Sequence, residues 1–394
     1  MRKALVYFLV PLILIGCVRF TKEVKVPERP LILLQGKDIP SFEDDLDRES
    51  LRAAISRSME FFRRLPEDRL FEYGGDHYST GHLINSMKTF LYLLDEAEDM
   101  EELTDMIREQ FNVYQSVGLD GRGTVLYTGY YEPILEGSIT PNEKYRWPLY
   151  KRPDDLMEID LELFSRKFEG EKIVARYDGS RVVPYFSREE IDSHGVLFGR
   201  ELELAWLKDP IDVFFLHIQG SGQVLLEDGT HLRVNYSACN GRPYRSIGSL
   251  LIDRGIISKE EMNISRLREY LRDNPSQREE ILNYNESYVF FRVVEQGPLG
   301  NIEVPLTPGR SVATDSRMFP KGALVYVCGE KPIADDSGTI IAWIPFSRFV
   351  LNQDTGGAIK GPGRVDLFWG KGESAGIPAG YMKNEGRLYF LVEK

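Results

Sequence analysis

The sequence predicts a mainly β protein with helices at its N-terminal end. Three observations carry that prediction. Apolar residues recur at helical spacing three times before residue 120. After it, apolar runs are short and are broken by Gly and Pro every few residues. Two such runs flank Glu227-Asp228-Gly229-Thr230, an Asp-Gly turn suited to a hairpin. With 394 residues the chain has room for two or three cores.

Taken in order, Val18 to Pro40 carries Pro27, Pro30 and Pro40 and little periodicity, which reads as a tether. The first helical stripe is Leu51, Ile55, Met59 and Phe62. The second is Leu83, Met87, Phe90, Leu91 and Leu94. The third runs Leu103, Met106, Ile107, Phe111 and Tyr114, with Asp99 placed to cap it. Gly123 to Pro133 is strand-like and ends in an aromatic, polar cluster. Asp212 to Ile218 reads as a second strand, running into Gln219-Gly220-Ser221-Gly222. Val224 to Leu226 and His231 to Ser237 read as strands joined by the Asp-Gly turn. These turns favour an antiparallel sheet or small barrel.

Helices interrupt the β pattern. One spans Ile247 to Arg254 and stops at Gly255. Ser258 with Glu261 has the form of a capping box for a helix to about Asp273, and Ser276 with Glu279 opens another. Tyr288 to Val293 is strand-like. From Gly297 onward the chain reads as β to its end. The expected strands are Ser311 to Thr314, Ala323 to Val327, Thr339 to Trp343, Val365 to Trp369 and Leu388 to Val392.

Composition narrows the function. Apolar (42%) and charged (28%) fractions are those of a folded protein. A net charge of −12 argues against nucleic acid as a partner. Neutral sugars remain open, because stacking and hydrogen bonds hold them. The five histidines are scattered and no Cys-x-x-Cys occurs, so no metal site and no cofactor is expected. Arg2 and Lys3 precede an apolar run from Ala4 to Ile15 that ends at Gly16-Cys17. This matches a lipoprotein signal peptide over 1–16, with Cys17 lipidated and 17–40 as tether. Val18 lacks the aspartate that retains lipoproteins in an inner membrane, which favours the periplasmic side of an outer membrane. Cys239 and Cys328 remain, with nothing in their spacing to demand a disulfide.

The residues that can carry chemistry gather late in the chain. Asn352-Gln353-Asp354-Thr355-Gly356-Gly357-Ala358-Ile359-Lys360 sets a carboxylate and a lysine among glycines. Asp366 follows between Val365 and Leu367-Phe368-Trp369, and Asp315 lies upstream. Glycosidic cleavage needs a proton donor, usually with a second carboxylate as base or nucleophile. The apolar neighbours of Asp366 favour a raised pKa and hence the donor's role. Asp354, among polar residues and glycines, is expected to ionise more readily. Asp beside Gly is equally ordinary turn chemistry. Gln219, Gly220, Ser221 and Gly222 form a loop whose amides can approach a ligand. The loop lacks the phosphate-loop and Gly-x-Ser-x-Gly patterns. Tyr130 and Tyr131, adjacent on a strand, face opposite ways, so one of them at most meets a ligand there.

These motifs resemble the membrane-bound lytic murein transglycosylase A family. Tyr127-Thr128-Gly129-Tyr130-Tyr131-Glu132-Pro133, His217-Ile218-Gln219-Gly220-Ser221-Gly222, Tyr244-Arg245-Ser246-Ile247-Gly248 and Asn285-Glu286-Ser287-Tyr288 occur in family order. Asp354-Thr355-Gly356-Gly357-Ala358-Ile359-Lys360 through Asp366 completes the set and looks like the family's three-aspartate "3D" module. The resemblance implies a double-psi β-barrel catalytic domain with helices, from 41–133 and 296–394. It implies an inserted, barrel-like, β-rich substrate-binding domain over 134–295. The implied reaction cleaves the MurNAc-β-1,4-GlcNAc bond of peptidoglycan without water and leaves a 1,6-anhydro sugar. Asp366 falls on the family's single catalytic acid. Asp354 and Asp315 take supporting roles, and Thr128, Tyr130, Tyr131, Gln219, Gly220, Ser221, Gly222, Gly357 and Lys360 contact substrate. The implied partners are glycan strands and, through Cys17, a membrane. Other wall enzymes are candidate partners that the sequence does not identify. An Asp-pair hydrolase and a wall-binding lipoprotein without activity are the rival readings.

Overall fold

A computed structural model describes residues 29–335 and 338–394. The signal peptide, Cys17 and most of the tether lie outside the described residues. Among those described, no helix is long and apolar enough to cross a membrane.

The chain starts with β1 (Leu31–Leu33), α1 (Arg48–Arg63), the hairpin β2 (Leu70–Tyr73) and β3 (Asp76–Ser79), α2 (Thr80–Glu96) and α3 (Met100–Gln110). Asp47, Ser79 and Asp99 cap the three helices, each accepting a backbone N–H three residues on. All four residues of the first stripe are buried. The third stripe breaks where the helix was expected to continue. Phe111 and Tyr114 belong to β4 (Phe111–Ser116), because Phe111, Val113 and Tyr114 are buried in sheet pairing with the C-terminal strand.

After β5 (Val125–Glu132) the chain enters a second body: β6 (Ile134–Ser138), β7 (Trp147–Tyr150), β8 (Met157–Asp160), β9 (Lys172–Tyr177) and β10 (Val182–Pro184). It continues through α4 (Arg188–Asp192), β11 (Glu203–Leu207), α5 (Pro210–Gln219), β12 (Ser221–Leu225) and β13 (His231–Cys239). It closes with α6 (Ile247–Asp253), α7 (Ile264–Asp273), α8 (Pro275–Asn283) and β14 (Val289–Val293). Six of these strands form one sheet in the order β14-β13-β12-β6-β11-β7, and an isolated bridge from Lys151 to Phe291 links its two edges. Its apolar clusters draw on residues 135–291 alone.

Two sequence expectations fail in this body. The segment Asp212 to Ile218 is helical, not a strand. Asp209 caps it, Pro210 occupies its first turn, and Gly220 ends it at φ 79°. Residues 213–217 are all buried, so the run shows no helical period and imitates a core strand. Ser258 and Glu261 do bond to each other, but they close only a turn. The helix starts at Ile264 behind its own cap, Asn263.

The chain returns through β15 (Ser311–Ala313), β16 (Leu324–Ala334), β17 (Ile340–Asp354), β18 (Arg364–Lys371), α9 (Glu373–Tyr381) and β19 (Lys383–Glu393). Helix α9 was not anticipated; its Ala, Gly and Pro content hides it. Strands β5, β19, β16, β17, β15 and β18 pair in a ring, giving a six-stranded closed barrel. Strands β1 and β4 extend it beyond β19. The pairing is mixed rather than antiparallel: β15 with β17, and β18 with β5, run parallel. One apolar core joins this barrel to α1, α2 and α3.

Candidate active site

The barrel register builds the site. Across β5, β18, β15 and β17, Thr128 pairs with Asp366, Asp366 with Ala313, and Ala313 with Asp354. Residues paired directly across strands share a face, so these four form one row. Asp354 reaches the row because β17 bulges. Val312 pairs with Asn352 and Ala313 with Asp354, so Gln353 is left over. Gln353 turns inward instead, donating to the Ala54 carbonyl at 2.9 Å and to Ser58 Oγ at 3.0 Å while accepting from Ser311. The bulge thus anchors α1 and re-aims the next carboxylate.

The two carboxylates differ in what holds them. Asp354 Oδ1 accepts the N–H of Asn301 (3.0 Å) and of Thr355 (2.9 Å), and Oδ2 accepts the Tyr130 hydroxyl (2.8 Å). Burial still dominates these bonds and pushes Asp354 up to about 6, above what its polar sequence neighbours alone suggest. Asp366 accepts the Thr128 hydroxyl on Oδ1, and among the described residues no group bonds its Oδ2. Burial raises its carboxyl too, against the Thr128 bond and the charge of Arg364.

Asp315 is fully buried under the glycine loop. Burial alone would raise it, but the Arg317 guanidinium and the N–H bonds of Gly361 and Arg317 outweigh that and hold it low. It fastens the loop from below. Tyr130 is buried with its hydroxyl on Asp354, and burial with that carboxylate keeps it protonated and a donor. Tyr131 turns the other way, with its ring over Gly376, and its N–H donates to Gln219 Oε1 at 3.0 Å. That bond ties barrel strand β5 to helix α5 of the second body.

A groove of about 580 Å³ runs between the two bodies. Gln219, Gly220 and Ser221 line one wall, and Asp354, Gly357 and Lys360 the other. Asp366, Thr128 and Tyr130 are not among the residues that line it; Asp366 and Thr128 share the barrel row with Asp354, and Tyr130 reaches it through its hydroxyl. Gly222 is packed, since a Cβ there would meet Leu216 Cδ1 at 2.5 Å. Sequence reasoning missed Asn301, which supplies a backbone donor from the segment returning to the barrel. It also missed Arg188 and His217 beneath the groove. Arg188 is 1% exposed and donates to Nδ1 of His217 at 3.0 Å. An arginine only donates, so the ring's hydrogen sits on Nε2, which has no partner among the described residues. Neither signal was visible, because a backbone N–H has no residue signature and both contacts span distant segments. Among the described residues no group of three or more His, Cys, Asp or Glu can hold a metal.

A family model described as the MltA specific insert domain matches residues 126–292, and a 3D domain model matches 310–392. The membrane-bound lytic murein transglycosylase A of Vibrio cholerae is 32% identical over 279 residues, 70% of this chain and 67% of that one. The Escherichia coli K12 protein of the same name is 32% identical over 288 residues, covering 72% and 70%. A crystal structure of a membrane-bound lytic murein transglycosylase from Agrobacterium tumefaciens superposes with a TM-score of 0.74 at 30% identity, covering 92% of this chain and 97% of that one. A structure of E. coli MltA with bound chitohexaose has a TM-score of 0.70 at 24% identity, covering 94% and 96%.

Proposed function

Since the chain belongs to the membrane-bound lytic murein transglycosylase A family, we propose that it cleaves the MurNAc-β-1,4-GlcNAc bond of peptidoglycan and leaves a 1,6-anhydroMurNAc end, with Asp366 as the single acid and base. Its enzyme class is that of the peptidoglycan lytic transglycosylases. The observation that carries the finer reading is the unequal bonding of the two carboxylates. Both oxygens of Asp354 are committed to protein donors, whereas Asp366 keeps one without a donor among the described residues.

Protonated Asp366 gives its proton to the glycosidic oxygen, and the C1–O bond breaks with the electron pair leaving on the GlcNAc hydroxyl. The C6 hydroxyl of the same MurNAc then attacks C1, and its proton returns to Asp366. No water enters, and the carboxyl ends as it began. Intramolecular attack replaces a positioned water and an enzymic nucleophile. Asp354, ionised above about pH 6, faces the positive charge that develops on the ring. Gln219, Gly220, Ser221, Gly357 and Lys360 supply the groove's hydrogen bonds, and Asp315 holds the loop that carries two of them. That a structure of E. coli MltA holds chitohexaose supports a glycan as the ligand of this family member.

The barrel is of the double-psi kind in this reading, interrupted by the insert over 134–295. Lipid at Cys17 attaches the protein to the periplasmic side of the outer membrane. Turnover of purified sacculi tests the assignment. Asp366→Asn is expected to lose activity by about 10³-fold or more, because both oxygens of the row's other carboxylate, Asp354, are held by protein donors. Unchanged turnover sinks the assignment of the acid.

A further inference from the structure

The groove is cationic in a chain that is acidic overall. Arg188, Arg242, Arg292 and Lys360 line it against two carboxylates, Glu303 and Asp354, although the net charge is −12. Two of the four cations are occupied. Arg188 lies 3.3 Å from Asp192, and Arg292 pairs with Glu303. The other two are not. Arg242 donates through Nε to the Tyr185 carbonyl at 2.8 Å, which fixes its guanidinium, and its one ion pair among the described residues is a loose 3.9 Å to Glu190. Lys360 is exposed and has no partner among the described residues. It lies on the loop that opens with Asp354.

A β-1,4-linked N-acetylhexosamine backbone carries no charge, so it gives such a groove nothing to neutralise. On a murein strand the anion is a carboxylate, either of the lactyl ether on muramic acid or of the peptide attached to it. We propose that Lys360 and Arg242, which both line the groove, engage carboxylates of this kind along the strand and so favour charged muramic-acid polymers over neutral ones. The inference rests on the function proposed above and names what the groove reads beyond the sugar ring. A fixed guanidinium offers paired N–H donors to a carboxylate, and an unpaired ammonium adds a point charge. Cations gathered in a cleft also concentrate an anionic chain there, an effect that salt screens.

The test uses the full-length lipidated protein in detergent and three substrates: stem-bearing glycan strands, strands stripped by an amidase, and stripped strands whose carboxylates are converted to methylamides. Wild type is expected to cleave the better charged substrate with kcat/KM about tenfold above the neutralised one, a gap that narrows in about 0.5 M salt. Lys360→Met and Arg242→Gln each narrow it as well, while Arg242→Lys keeps most of it. Faster cleavage of stripped strands assigns the lactyl carboxylate, and faster cleavage of stem-bearing strands assigns the peptide. Equal rates on charged and neutralised strands overturn the proposal. So does an equal loss on all three substrates in both variants. If wild type cleaves none of them, the function beneath it falls as well.

Discussion

Asp354 and Asp366 flank Ala313, each paired with it in register on a neighbouring strand of the barrel. Two strand spacings of about 4.8 Å therefore separate their backbones. A β-bulge at Gln353 brings Asp354 into this row, and Thr128 continues it beyond Asp366.

Thr128→Val keeps the shape of the side chain and removes the hydroxyl that Asp366 accepts. That bond favours the charged carboxylate, so its loss raises the carboxyl further. In a pH profile of kcat/KM the limb set by the proton donor should move upward by up to about one unit. An unmoved limb separates Thr128 from the acid.

Tyr130→Phe removes one of three donors to Asp354, which burial already pushes up to about 6. Asp354 then charges at a higher pH. The acidic limb of the profile, where the ring loses its facing negative charge, should shift upward. Activity at pH 6 should fall more than activity at pH 8, and equal losses would contradict the role given to Asp354.

Burying Asp354 costs stability as pH rises. Its folded pKa of about 6 lies above the ordinary 3.8, so the unfolded chain ionises first. The penalty is absent below about pH 4, grows between 4 and 6, and levels off near 3 kcal/mol as an upper bound. Asp354→Asn should therefore raise Tm at pH 8 by several degrees, with little gain at pH 3.5, while activity collapses. A lower Tm at pH 8 would show that its three hydrogen bonds outweigh burial.

Asp315→Asn tests the loop clamp. Asp315 is held low, so its contribution is present at neutral pH and disappears as pH falls through the acid range. The substitution weakens the bond to Gly361 N–H and the pairing with Arg317. A loss of about 1–3 kcal/mol by urea titration is expected, with a raised KM because Gly357 and Lys360 ride on that loop. A lowered kcat with unchanged stability would instead place Asp315 in the chemistry.

Much of the barrel was legible because its strands are short, apolar and cleanly punctuated. Val365 to Trp369 and Leu388 to Val392 fall inside β18 and β19. The residues of α5 misled because burial on all sides erases the helical period, although Asp209-Pro210 and Gly220 marked its ends. The acids themselves stood out in the sequence. Their environment did not. The donors to Asp354 come from residues 130 and 301 as well as its neighbour Thr355, and the bulge that aims it is a pairing property. Local composition suggested an easily charged Asp354, and burial by long-range packing raises it instead.

The most direct measurement is the mass of the muropeptides released from purified sacculi. A 1,6-anhydro end, about 18 Da lighter than the hydrolytic product, is predicted for wild type. The same product should vanish in Asp366→Asn. Release of muropeptides with ordinary reducing ends would contradict the account and point to a water-using carboxylate pair.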